Sequence, residues 1–473
     1  MKSLINLFIF FHIKYLPTIF SIGIGILLLS CQDFVDISPP TNQIVTETVF
    51  IDDVSATSAI DGVYSQMIGT GGFASGNRES ITVVTGLSSD EFVNFSTNSN
   101  QIEFFSNSLL ATNILVQNSI WKPAYEFIFF ANSILEGLEN SSGITEETRM
   151  QLHGEAKFIR AFCYFYLVNL FGDVPLIINT DFKANQRASR SIQSLVYEQI
   201  IADLEDAQGV LAEDYSFSGG ERVRPNKAAA SAMLARVYLY LEDWSNAEKQ
   251  ASSIIENSTT YNLLPNLNDV FLANNREAIW QLKPVVPGNN TFEALTFVIP
   301  LAPPVNLSLS NGLVSAIEPN DKRMDNWVNS ISNGTNTYYF PFKYKISEAN
   351  QPLTEYSVVL RLAEQYLIRA ESRLKQGNLI GAQDDLNSIR NRAGLNNSLA
   401  NDPSSLSLAI EKERRIELMA EWGHRWFDLK RSGRVNTVLA PVKLYWGETD
   451  IYYPIPQSEI VNNPNLTQNS GYQ

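Results

Sequence analysis

The sequence predicts a mainly α-helical protein, in which a scaffold of paired, repeating helices carries one long, loop-rich, ligand-facing insertion. Three observations lead there. Apolar residues recur at helical spacing over about residues 114–257 and again over 356–431. Two of these helical stretches fall on each other at a shift of 135 residues. Between 258 and 355 the helical period fades and Pro, Asn and Gly become common, as at Pro284, Pro287, Gly288, Asn289, Asn290 and Pro300.

The first thirty residues read as an address. Lys2 and Lys14 precede an apolar run from Ile19 to Leu29 that ends in Leu28-Leu29-Ser30-Cys31. A charged start, a short apolar core and a small-residue cut site describe a secretory signal over residues 1–30. A transmembrane anchor needs about 20 apolar residues, and Lys14 and Pro17 interrupt the longer stretch from Leu4. Leu-Leu-Ser-Cys resembles the bacterial lipobox, which implies that Cys31 is acylated, becomes the mature N-terminus and anchors the chain to a membrane. In the lipoproteins it resembles, acidic residues such as Asp33 just after the Cys accompany export to the outer face of the cell.

The mature chain opens with a weak helical pattern from Phe50 to Met67, then a Gly/Ser/Asn-rich stretch from Gly69 to Ser108. A helix is expected from Ile114 to Leu138, with Trp121, Tyr125 and Phe129 at four-residue spacing. Another runs from Glu146 to Phe171 and stops at Gly172-Asp173-Val174-Pro175, since Gly frees the backbone and Pro cannot continue a helix. Ser191 to Leu211 is a third. The 135-residue shift then lays Ala232, Ala235, Leu239, Ala247, Ala251 and Ile254 over Leu367, Ala370, Leu374, Ala382, Leu386 and Ile389. Each set is two helices around a tight turn, Glu242-Asp243-Trp244 in one and Gly377-Asn378-Leu379 in the other, with small residues that let the helices approach. This resembles the tetratricopeptide unit, which buries its apolar face only by stacking on neighbours. Phe158, Ala161 and Phe165 fit a third, variant copy. The mature chain is therefore expected to be a single domain over 31–473, with about 258–355 as a loop-rich subdomain laid over the helices.

Charge removes one function class. The formal net charge is −15, whereas a nucleic-acid surface needs clustered Lys and Arg. Two cysteines exclude a disulfide-rich scaffold, and Cys163 sits in an apolar helical run as a small buried hydrophobe.

Four stretches are similar to the SusD/RagB family of outer-membrane nutrient-binding lipoproteins. They are EAKFIRAFCYFYLVNLFGDVPL over 155–176, NKAAASAMLARVYLY over 226–240, EKERRIELMAEWGHRWFDLKR over 411–431, and YPIPQSE over 453–459 running into NPNLTQNSGY over 463–472. The resemblance implies four tetratricopeptide-like units, a loop-rich ligand face, and capture of a nutrient such as an oligosaccharide, or in some relatives peptide. It also implies a partner, a SusC-like TonB-dependent outer-membrane transporter to which the ligand is delivered.

Glu413, Glu417 and Glu421 recur every four residues beside Arg414, Arg415 and Arg425, and read as a salt-bridged packing face rather than a paired acid and base. His153 and His424 stand alone, so no metal site is expected, and no phosphate loop or other cofactor motif is present. Aromatic residues remain. Sugar rings stack their C–H faces on flat side chains while amides bond the hydroxyls. Two loop-rich segments offer that combination: 90–95, with Asn94 and Phe95, and 325–340, with Trp327, Tyr338 and Tyr339. The expected function is non-catalytic glycan binding; a surface glycoside hydrolase and a purely structural helical-repeat adaptor are the alternatives.

Overall fold

A computed structural model describes residues 49–69 and 72–472. The signal segment 1–30 and Cys31 lie outside those residues. Helix α1 (Asp53–Ile68) starts at Asp52, whose carboxylate accepts from the Ser55 N–H at 2.8 Å. Two helices, α2 (Ile81–Ser88) and α3 (Ser99–Ser106), occupy the Gly/Ser/Asn-rich stretch from Gly69 to Ser108, where no helix is expected. All eight residues of α2 are buried, so it has no polar face and leaves no amphipathic period in the sequence.

The helix expected over 114–138 is a π-helical turn, Val116–Trp121, leading into α4 (Lys122–Asn140). Next come α5 (Glu146–Phe171) and α6 (Gln193–Val210), each packed on its predecessor. Gly172 ends α5 at a φ of +75°, in the half of backbone space that favours glycine.

The internal repeat is real down to the backbone. Helices α7 (Lys227–Tyr240) and α8 (Trp244–Ile255) form one pair, α9 (Leu362–Lys375) and α10 (Leu379–Arg392) the other. In their turns Glu242 and Gly377 both have positive φ. The next residues, Asp243 and Asn378, both cap the following helix by accepting from a backbone N–H, of Asn246 and Gly381 respectively. Ala232, Ala235, Ala247, Ala251, Ala370 and Ala382 are all fully buried at the helix contacts. Helix α8 packs directly against α9, so the two units stack although the insertion separates them in sequence. Helices α11 (Pro403–Glu417) and α12 (His424–Arg431) complete the scaffold.

The insertion is tied at both ends. Strand Ala278–Leu282 pairs antiparallel with Ser357–Arg361, every residue of both is buried, and the second strand runs straight into α9. The remainder of 258–355 is built from short strands and helices rather than plain loop.

Beneath this strand pair lies a buried ion-pair cluster. Arg361 meets Glu417 at 2.6 Å, Glu421 at 2.7 Å and Glu277 at 3.2 Å. Arg323 meets Glu413 at 2.6 Å, Asp321 at 2.8 Å and Glu417 at 2.9 Å. The carboxylates at 413, 417 and 421 thus form a packing face, but their partners come from other segments. Arg414 instead pairs with Asp428, and Arg415 and Arg425 with Asp90.

Candidate functional site

The two aromatic segments singled out in the sequence converge. Strand β1 (Phe92–Asn94) pairs antiparallel with β2 (Leu307–Leu309) of the insertion, with Phe92 opposite Leu309 and Asn94 opposite Leu307. The pairing carries on one step, because the Phe95 N–H donates to the Asn306 carbonyl at 2.6 Å. Strands β3 (Val328–Ser332) and β4 (Thr337–Pro341) form a hairpin whose second strand packs on β2. Its tip turns at Gly334, with φ of +86°. At this junction the half-buried Phe95 and Tyr338 rings meet edge to face, 5.5 Å between centroids and 83° between planes.

What fixes Phe95 there is the use made of the residues before it. Asp90 accepts from Arg425 and Arg415, each at 2.7 Å. Burial works against the Asp90 charge, but the two guanidiniums hold its carboxyl below the ordinary carboxylate range. The Glu91 carboxylate accepts from the Ala420 N–H at 2.8 Å, and burial pushes its pKa up to about 7. Phe92 is in the core. Asn94 spends its side chain on the bend that follows, accepting from the Ser96 N–H at 3.2 Å and donating to the Ser96 carbonyl at 3.1 Å. Of the segment 90–95, Phe95 is the ring left facing outward. Asn94 shapes the loop that presents it, with one of its two amide N–H groups making no hydrogen bond among the described residues.

Tyr338 and Tyr339 do not act together. Successive strand residues point to opposite faces, and while Tyr338 meets Phe95, Tyr339 packs against the main core.

Trp327 is a correction. It is fully buried, its indole N–H donates to the Leu267 carbonyl at 2.9 Å, and Phe271 packs edge-on at 5.6 Å. Lys343 lies 4.6 Å and Arg392 5.3 Å from its ring centroid. It stands at the end of the short helix Lys322–Trp327, so it shares an inward face with the buried Arg323 four residues earlier, while Asp325 is exposed. The polar neighbours that made it look like a surface ring are on the other side of the helix.

Family models match most of the chain. Residues 33–239 match a SusD-like model described as starch-binding and associating with the outer membrane, and residues 323–472 match the SusD family (SusD_RagB) model. The chain belongs to the SusD/RagB family. It is similar to a SusD-like protein of Formosa agariphila, 27% identical over 524 aligned positions that cover 94% of this chain and 97% of that one. Among solved structures, a SusD superfamily protein of Bacteroides vulgatus has a TM-score of 0.78 at 22% identity, covering 89% of this chain and 99% of the other. A laminarin-binding SusD-like protein has a TM-score of 0.74 at 25% identity, with coverage of 89% and 99%.

In this SusD/RagB chain the stretch 411–431 has a definite task at the site. Its Arg415, Ala420 and Arg425 grip Asp90 and Glu91, and so set the strand that ends in Phe95. One residue beside the rings escaped the sequence reading. Asn306 is half-buried, bonds Phe95 through its backbone, and makes no hydrogen bond through its side-chain amide among the described residues. Only the β1–β2 register brings it there, and an Asn in an Asn-rich insertion carries no signal of its own.

Proposed function

We propose that this SusD/RagB chain is a lipid-anchored protein of the outer-membrane surface that binds an oligosaccharide against Phe95 and Tyr338 and delivers it to a TonB-dependent transporter. The observation that carries the reading is the half-buried ring pair itself. Each ring offers an apolar face for sugar C–H groups, and the Asn306 amide, which makes no side-chain hydrogen bond among the described residues, is available for hydroxyls. The description of the matched family model as starch-binding and the laminarin binding of a structural neighbour support a glycan as ligand. Acylation of Cys31 supplies the anchor in this reading. In this reading binding proceeds without turnover, and the carboxylates spaced like a paired acid and base, Glu413, Glu417 and Glu421, are each held in buried ion pairs.

The test is calorimetric titration of the chain from Gln32 onward against neutral and anionic oligosaccharides, with product analysis. Saturable heat with one glycan class and no product supports the reading. Heat with no glycan, or release of shorter sugars, contradicts it.

A further inference from the structure

A cavity of about 760 Å³ opens beside the start of α4 and shares no lining residue with the Phe95–Tyr338 junction. Its floor is aromatic. Trp121, only 4% exposed, packs at 4.9 Å against both Tyr125 and Phe171. Phe129 and Phe182 stand at the wall, 50% and 75% exposed, which is unusual for rings of this size. Two polar groups in this apolar setting are left without a hydrogen bond among the described residues. The indole N–H of the nearly buried Trp121 makes no hydrogen bond among the described residues, and neither does the half-buried Glu459 carboxylate.

We propose that this groove is a second carbohydrate site, taking a neutral oligosaccharide. A lipid chain or an apolar peptide would cover the rings but leave the Trp121 donor and the Glu459 acceptors desolvated and unmatched, an unfavourable arrangement. A pyranose has both surfaces needed, C–H faces for Phe129 and Phe182 and hydroxyls that donate to Glu459 and accept from Trp121. The cavity falls within the size range of small-ligand sites. Charge selects within the class. Among the described lining residues the charged side chains are Glu126, Glu459 and Lys122, the last of which is 3.7 Å from Glu126. The groove is therefore net negative and repels sulfated or uronate sugars.

This site shares only its ligand class with the proposed function. The test titrates the chain from Gln32 onward with laminarihexaose, maltohexaose, cellohexaose, mannohexaose and hexagalacturonate. Four proteins are compared: the wild type, Phe95→Ala/Tyr338→Ala, Phe129→Ala/Phe182→Ala, whose altered groove rings are solvent-exposed, and the variant carrying all four changes, each checked for folding by thermal melt. The expected result is residual binding of a neutral hexasaccharide by the first double variant, weakened at least tenfold when the second pair of changes is added, with no hexagalacturonate bound at the groove. Absence of residual binding by the first variant, or residual binding that the added groove changes leave intact, overturns the second site without touching the first. Binding that depends on the groove rings and not on Phe95 and Tyr338 supports this site while overturning the first.

Discussion

Phe95 and Tyr338 lie far apart in the sequence, yet their rings meet nearly perpendicular at 5.5 Å because β1 pairs into the insertion next to the β3–β4 hairpin. The contact joins the N-terminal part of the chain to the insertion at the surface. Tyr339, one residue on, belongs to the core side of the same hairpin.

That alternation separates binding from stability. Tyr338→Ala is expected to weaken glycan binding about threefold to tenfold, the loss of one stacking ring, at unchanged melting temperature. Tyr339→Ala is expected to leave affinity alone and cost about 1–3 kcal/mol of stability. Calorimetric titration and thermal melts of the two variants read the difference, and equal effects on affinity would refute the assignment of faces.

Trp327→Ala removes a fully buried ring set among Phe271, Lys343 and Arg392. A loss of about 3–5 kcal/mol is expected in denaturant unfolding, from the lost burial of the ring together with the cavity it leaves. Protein that remains folded should bind ligand as the wild type does.

Arg361 pairs with three buried carboxylates at once, sharing their neutralisation with Arg392, Arg323 and Lys343. Arg361→Met should therefore cost about 3–5 kcal/mol, because Glu277, Glu417 and Glu421 stay buried with less compensation. Glu413→Gln should cost less, since Arg323 keeps Asp321 and Glu417. Urea titrations at low and high salt should give the same ranking, as buried pairs are poorly screened.

The Glu293 carboxyl is buried, accepts from the Ser357 hydroxyl through one oxygen and, among the described residues, has no hydrogen-bond partner for the other. Burial pushes its pKa from 4.5 up to about 7. The folded state thus holds a proton that the unfolded state releases, so this group takes stability away as pH rises from about 4.5 through about 7. Glu293→Gln is expected to raise the melting temperature at pH 8 and change it little near pH 4.5. An equal change at both pH values would show that the carboxyl does not titrate in this way.

The scaffold was legible because repetition leaves a mark on every level. The 135-residue shift that aligned Ala232 with Leu367 also aligns the positive-φ residues Glu242 and Gly377 and the caps Asp243 and Asn378. Helix α2 was not legible, since a helix buried all round shows no period. Half of the candidate site was readable from local composition: aromatic rings in Asn-rich loops picked out Phe95 and Tyr338. The same rule misplaced Trp327, because flanking polar residues say nothing about which side of a helical turn a ring occupies. Asn306 and the partners of Glu413, Glu417 and Glu421 depend on long-range register, which one sequence does not display.

The most direct measurement is a crystal structure of the chain from Gln32 onward grown with the hexasaccharide that binds it in titration. The expected result is a sugar ring in van der Waals contact with Phe95 and Tyr338 and a hydroxyl bonded to the Asn306 amide. Sugar density confined to other surfaces, with the Phe95–Tyr338 pair bare, would contradict the assignment of the site.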